Sequence, residues 1–476
     1  MYFRPIGLGL TPHSKAMPDF AVFNLAAGQS MKMAPLGALY IVAAAEDAGF
    51  STVFRDYALE RGPDLFRIDR IAEFLETADA PVVGISCFAG MLPYGVLAVE
   101  KLRACRPEIK IVFGGPGPSA VAKELLETFP AIDFVVCGEG EETAVDLLRF
   151  LAKGSPPAWT IPGLAWRAAN SVVTVNSRRE RRRELDQIVF PEYDRVNLQD
   201  YDVVGVVYAR GCPYTCTYCD VVSMWNRQNI ARSVDNVLAE IEWLRGCGVR
   251  HIAFVDDLFT VNRKRTIEFC DRFESAGVPA SWGCTTRIDR VDSELLDRMA
   301  AAGCQYVFYG VESGSPAVLA RVNKAIPFEQ TADAVRQSAR LGMYTHTPLM
   351  WGFPFETMSD FHQTLAFGQY LNHCGANVFY SLVTPLPGTA LYEEFRDRLT
   401  FRPDVYSTII APGREANLAE VAETIAAFPS LFSGFYHFSD GMVDEKSRIG
   451  KRLGLNLSDI RIDSLSATET GCAGSS

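Results

Sequence analysis

The stretch VVGVVYARGCPYTCTYCDV, residues 203–221, decides how the chain is read. An apolar run, 203–208, leads into a turn carrying Cys212, Cys216 and Cys219, spaced C-x3-C-x2-C. Thiolates are soft metal ligands. A structural zinc site takes four ligands, and no fourth cysteine or histidine lies close by in sequence. Three ligands on a cubane iron–sulfur cluster leave one iron open to a small molecule. A three-cysteine zinc site completed by one of the six remote histidines, or chance clustering, are the competing readings.

The apolar run opens an alternating series. Strands are expected at 203–208, 250–255, 279–285, 305–312, 345–352 and 376–382, with helical periodicity between them, as in SVDNVLAEIEWLRGCG and DSELLDRMAAAG. Six β/α units in a row predict a partial (β/α)6 TIM-type barrel, whose chemistry sits at the carboxyl ends of its strands. The three cysteines follow the first of these strands directly.

Upstream, FAVFN (20–24), STVFRD (51–56), PVVGIS (81–86), IKIVFGG (109–115) and IDFVVCGEG (132–140) read as strands, again alternating with helices. Pro93 fits a first helical turn, and Gly49 and Gly154 fit helix stops. Nearly continuous apolar strands predict a doubly wound, Rossmann-like parallel sheet with ligands at its carboxyl ends. There Ser86, Gly114, Gly115 and Gly138 collect. GLGLTP near Gly7 precedes the first strand and is no dinucleotide fingerprint. The acids of Gly138–Glu141 oppose a pyrophosphate and suit a helix N-terminus. The expected α/β organisation is a sheet domain over 1–154 and a linker with a short hairpin over 155–200. A barrel over 201–395, and a small helical cap with a disordered tail over 396–476, complete it. Cys472 in that tail is expected to be inert.

Composition is that of a globular chain, with 48% hydrophobic and 22% charged residues. A net charge of −11 opposes nucleic-acid binding, which needs a basic surface. The one basic run, 178–183, is interrupted by Glu180 and is expected as a solvated face. No signal peptide or membrane span is legible, and scattered cysteines such as Cys87, Cys137 and Cys304 suit the reducing cytoplasm.

CPYTCTYC after the first barrel strand resembles the signature of the radical S-adenosylmethionine (SAM) superfamily, particularly its branch with an N-terminal cobalamin-binding domain. FVDDLFT (254–260), GVESGS (310–315), GFPFET (352–357) and TPLPGTALYE (384–393) fall in that family's order. APLGALYIVAAAEDAGF, FGGPGPS and CGEGEET resemble the branch's first domain, so the resemblance spans about residues 20 to 395. It implies that Cys212, Cys216 and Cys219 ligate a [4Fe-4S] cluster whose open iron is chelated by S-adenosylmethionine. Tyr218 would lie beside the adenine and Glu312 would hold the ribose or amino group. Arg287 would neutralise the carboxylate, with a salt bridge inside the barrel as the alternative. An electron from an external flavodoxin- or ferredoxin-type donor or reductase would release a 5′-deoxyadenosyl radical, which takes hydrogen from an unactivated carbon of a small-molecule substrate, of secondary-metabolite type.

The resemblance also implies cobalamin across Ser86, Gly114, Gly115 and Gly138, without a histidine on the cobalt, since D-x-H-x-x-G is absent and only His13 precedes residue 251. With cobalamin the expected reaction is C-methylation. With an empty first domain it is dehydration of an aminoglycoside-type sugar diol, or cyclisation. A cluster or corrinoid sensor is the non-enzyme reading. Asp256 and Asp257 are expected as catalytic acids, with turn capping as the alternative. Trp225, Trp282, Trp351 and Tyr380 are candidates for the substrate pocket, with core packing as the favoured reading for Trp282 and Tyr380, which fall within strands.

Overall fold

Apolar strands alternating with helices need both sheet faces covered, and the chain builds two such sheets. The computed structural model describes residues 17–27, 31–168, 171–405, 407, 418–439 and 441–455. His13, GLGLTP, the polar tail and Cys472 lie outside the described residues.

The first sheet holds β1 (Phe20–Leu25), β2 (Thr52–Asp56), β3 (Val82–Cys87), β4 (Lys110–Gly114), β5 (Phe134–Val136), β6 (Leu164–Arg167) and β7 (Val173–Val175). Their order is β2-β1-β3-β4-β5-β6-β7. The first five are parallel, and β6 and β7 add on antiparallel. The hairpin expected in the linker therefore belongs to this sheet, because Leu164 and Ala165 are fully buried in its core. Along β1 the pleat sends Phe20 and Val22 to one core and Ala21, Phe23 and Leu25 to the other. Strand order reverses between β1 and β3, which opens a crevice at their carboxyl ends.

The second sheet begins with β8 (Val204–Val206), which leads into a small antiparallel pair, β9 (Ala209–Arg210) and β10 (Ile230–Ala231). It continues through β11 (His251–Phe254), β12 (Ser281–Thr286), β13 (Cys304–Tyr309), β14 (Tyr344–Trp351) and β15 (Asn377–Leu382). The order β15-β14-β13-β12-β11-β8 is parallel throughout and does not close, giving the expected partial barrel. Trp282 packs among Phe254, Phe259 and Phe269, and Trp351 packs on Phe361. The Tyr380 hydroxyl donates to Leu365 O at 3.4 Å. These three aromatics are core on the helix-covered face, the favoured reading for Trp282 and Tyr380 and a departure from the pocket expectation for Trp351. Their register puts Phe308 and Phe379 on the opposite face, ring centroids 6.0 Å apart.

The C-terminal region is less purely helical than expected. It contains the antiparallel pair β16 (Leu399–Phe401) and β17 (Tyr436–Phe438) and straps both sheets together. Val421, Ile425 and Phe432 join one core of the first sheet, while Lys446 reaches Glu356 of the barrel. A second link joins the sheets directly. Ala34 N donates to Val203 O at 3.0 Å, and Lys32 O accepts from the amides of Asp202 and Val203. Among the described residues no helix is long and apolar enough to cross a membrane.

One buried histidine gives the fold an acid limit. His346 in β14 lies between the Tyr306 hydroxyl and Asn377, 2.8 and 2.9 Å away, and burial pulls its pKa down to about 4 from 6.5. The native state therefore holds it neutral. That stability is complete above pH 6.5 and is lost as pH falls through 4, about 3 kcal/mol at ~1.4 kcal/mol per unit. Thermal midpoints of the wild type are expected to fall across this window, and His346→Gln is expected to flatten that part of the profile. An unchanged slope in the variant would count against this origin.

Candidate active site

The cysteine loop leaves β9 at Arg210 and returns through β10, so a two-strand ladder closes its base. Gly211, with φ +95°, fills a place no other residue fits. A Cβ there would overlap Gln228 O and lie 2.9 Å from Trp225 Cβ. Two acids at the end of β11 fix the root of the loop. Asp256 Oδ1 accepts from Tyr208 N at 2.7 Å, and Asp257 Oδ2 from Gly211 N at 2.8 Å. Burial raises Asp256 to a pKa of about 7 and Asp257 to about 6. Both acids thus anchor the loop, as the turn-capping alternative has it; Asp256 is 3% exposed, and its second oxygen, Oδ2, accepts no hydrogen bond among the described residues.

Cys212, Cys216 and Cys219 share one space. Burial, with a contribution from their mutual repulsion, raises the Cys212 thiol and takes Cys219 up to about 12. Metal coordination is what turns such thiols into thiolates. Among the described residues no three His, Cys, Asp or Glu side chains stand close enough to hold a single ion. The mutual repulsion places the three sulfurs near one another, as ligands of one cluster must be. Arg287 Nη1 is 3.7 Å from Cys216 Sγ, a positive charge beside a ligand that becomes negative. Asp289 binds the same guanidinium through two 2.9 Å hydrogen bonds, and Tyr214 stacks on it at 3.7 Å. The salt-bridge alternative for Arg287 is the one observed.

Tyr218 and Glu312 meet beside this loop. Glu312 follows β13 with φ +73°, a left-handed conformation unusual outside glycine. Its backbone is pinned there, its N–H to Pro348 O at 3.0 Å and its carbonyl to the Met350 amide at 2.6 Å. The carboxylate is 2.6 Å from Lys324 Nζ, and Lys324 is 3.4 Å from the Tyr218 hydroxyl. Burial, reinforced by Glu312, pushes the Tyr218 hydroxyl well above its ordinary pKa, so it stays protonated.

In the first sheet Ser86, Gly114 and Val136 are register neighbours across β3, β4 and β5. Ser119 Oγ donates to Gly115 O at 2.7 Å and accepts from Gly138 N at 3.3 Å, tying the two following turns. Gly138, with φ +77°, has nothing within 4 Å of the place a Cβ would take. Gly115 differs: a Cβ there would stand 2.8 Å from Cys87 O, so its glycine serves chain packing. Beside this rim Phe88 and Met33 are 62% and 40% exposed. An open glycine cradle with exposed apolar neighbours fits a large flat cofactor across the strand ends.

The two strand-end surfaces are joined by ions. Arg210 binds Glu139 and Glu141 at 3.0 and 2.6 Å, and Arg181 binds Glu139 at 3.3 Å while stacking on Trp225 at 4.6 Å. Arg179 pairs with Glu142 and Asp146. The basic run expected as a solvated face is therefore partly buried, because the acidic turn after β5 supplies its carboxylates. A charged cleft of about 540 Å³ beside this network is lined by the same paired groups and holds none of the cysteines.

Comparison with known proteins matches the Radical SAM superfamily at residues 206–368 and the B12 binding domain at 27–148. An uncharacterized methyltransferase of Pyrococcus horikoshii is 30% identical over 330 residues, 68% of this chain and 71% of that protein. The chain belongs to the radical SAM superfamily, in the branch with a B12-binding domain. Radical SAM enzymes carry a [4Fe-4S] cluster and use S-adenosylmethionine, an electron donor and small-molecule substrates; the B12-binding domain adds cobalamin. The anaerobic magnesium-protoporphyrin IX monomethyl ester cyclase of Rubrivivax gelatinosus is 27% identical over 347 residues, 70% of this chain, which spans 61% of that relative. The fold is that of a radical SAM methyltransferase from Kitasatospora setae, solved with tryptophan substrate and a SAM analogue. That match has a TM-score of 0.70 at 17% identity and covers 92% of this chain and 88% of that one.

Sequence reasoning missed Lys324, Arg210 with its two glutamates, and the Lys446–Glu356 pair. None carries a local pattern; each is defined by a partner far along the chain.

Proposed function

We propose that this radical SAM enzyme transfers a methyl group to an unactivated carbon of a small molecule. The observation that carries the reading is Arg210, two residues before Cys212 and bonded to Glu139 and Glu141 on the rim of the first sheet. The cluster loop and the cobalamin face are thereby held together at one residue. The relatives lean the same way, since the chain spans more of the methyltransferase at higher identity than of the cyclase. When bound, the three cofactors supply one-electron chemistry, a hydrogen-abstracting 5′-deoxyadenosyl group and a methyl carrier.

In this reading the chain's own residues hold and shield. Cys212, Cys216 and Cys219 grip the cluster, with Arg287 offsetting charge at Cys216. Tyr218 faces the adenine, and Glu312 orients the ribose or amino group. Ser86, Gly114 and Gly138 face the corrinoid. Phe308 and Phe379 line the barrel face turned from the helices and exclude water from the substrate. The electron comes from a flavodoxin- or ferredoxin-type donor. None of the described cysteines forms a disulfide, which fits a reducing cytoplasm.

The test is anaerobic reconstitution with iron, sulfide and cobalamin, then reduction with S-adenosylmethionine and candidate substrates. Stoichiometric cobalt is expected, with 5′-deoxyadenosine and S-adenosylhomocysteine formed together. 5′-Deoxyadenosine without S-adenosylhomocysteine, in protein that retains no cobalt, would replace methylation with cyclisation or dehydration.

A further inference from the structure

Three consecutive residues after the helix Pro316–Arg321 reach back to the cysteine loop. Val322 O accepts from Thr217 N at 3.3 Å, and Asn323 Nδ2 donates to Thr215 O at 3.2 Å. Lys324 Nζ contacts both the Glu312 carboxylate and the Tyr218 hydroxyl. The ammonium is held in a tailored place. Lys324 is 5% exposed, and a side chain at Gly310 would put its Cβ 2.6 Å from Nζ.

We infer that Lys324 is a positioning residue for S-adenosylmethionine, holding the Glu312 carboxylate in place and offsetting its charge beside the cysteine loop. This rests on the reading that Tyr218 and Glu312 face that ligand. A buried carboxylate such as Glu312 is costly unless a counter-charge is paired with it. Lys324 supplies it at one oxygen, so the pair is neutral overall. The methionine part of the ligand is itself a zwitterion, and a neutral pair receives it without repelling its carboxylate. Without the lysine the pocket gains one negative charge where a carboxylate must enter. The left-handed backbone of Glu312 agrees with this. Such strain, of order 1–3 kcal/mol, persists where surrounding contacts enforce it and clusters at ligand clamps. Here the backbone bonds to Pro348 and Met350 hold it, and Lys324 meets the side chain they aim.

Binding is read from the change that S-adenosylmethionine causes in the electron paramagnetic resonance signal of the reduced cluster, with iron content measured in parallel. Lys324→Met is expected to raise the half-saturating concentration at least tenfold with iron content unchanged. If Lys324→Met does not fold, Lys324→Gln replaces it, since it keeps a hydrogen-bonding group and loses only the charge. A half-saturation within twofold of wild type would overturn the assignment. So would a loss of iron matching the loss of binding, which makes the lysine a loop clamp only. A wild type whose reduced cluster ignores S-adenosylmethionine would instead overturn the functional reading itself.

Discussion

Cys216→Ser will purify as a folded protein that holds little iron and forms no detectable 5′-deoxyadenosine. Serine is close in size to cysteine, and Cys216 contacts Arg287 rather than the centre of a hydrophobic core. The backbone that frames the loop is fixed elsewhere, by Asp256, Asp257 and the β9–β10 pair. Folding therefore does not depend on the sulfur. Cluster binding does, because the hydroxyl is a hard, barely ionised ligand and iron–sulfur clusters are held by thiolate. Cys284→Ser is the matching control. Cys284 is buried in β12 beside Cys304, and placing a hydroxyl in that apolar site costs about 1–3 kcal/mol of stability while iron content stays at the wild-type level. The two substitutions should thus separate cleanly, one losing iron and the other losing stability. Wild-type iron content in Cys216→Ser would remove that cysteine from the ligand set.

That separation follows what the sequence could and could not express. The eleven strands expected across 20–140 and 203–382 are present, because parallel strands covered on both faces need apolar residues at nearly every position. The C-x3-C-x2-C spacing is equally local. Facing direction was harder. Trp282, Trp351 and Tyr380 sit in correctly placed strands, yet a shift of one residue moves a side chain to the other face. The register between β12 and β13 does shift, at Trp282/Gly283. Least legible were the ionic partners. Arg210 meets acids about 70 residues away, and Lys324 meets Tyr218 across 106. No periodicity encodes such pairs, since they exist only after both sheets have formed and docked. The two acids at 256 and 257 were better placed: their position at a barrel mouth and the turn-capping alternative were both readable, but not which loop amides they would hold.

Another long-range partnership, across 90 residues, carries the other large expected effect. Lys446→Met should cost about 3–5 kcal/mol, the range for removing one partner of a buried ion pair. Lys446, on the C-terminal helix Val443–Arg452, and Glu356, in the turn after β14, are both fully buried. Glu356 Oε2 accepts from Lys446 Nζ at 2.8 Å and from Gly352 N at 2.8 Å. Gly352 ends the strand that holds the Glu312 carbonyl through Met350, so the pair ties the C-terminal helix to the barrel mouth. Methionine fills the volume of the lysine stem, so lost packing is small and the lost charge dominates. Glu356→Gln combined with Lys446→Met removes both charges and should recover much of the loss, because two neutral groups carry no unpaired-ion penalty. Chemical-denaturation midpoints of the two variants measure this directly. A Lys446→Met midpoint equal to wild type, or a double variant no more stable than the single, would show that the ion pair does not hold the C-terminal helix on the barrel.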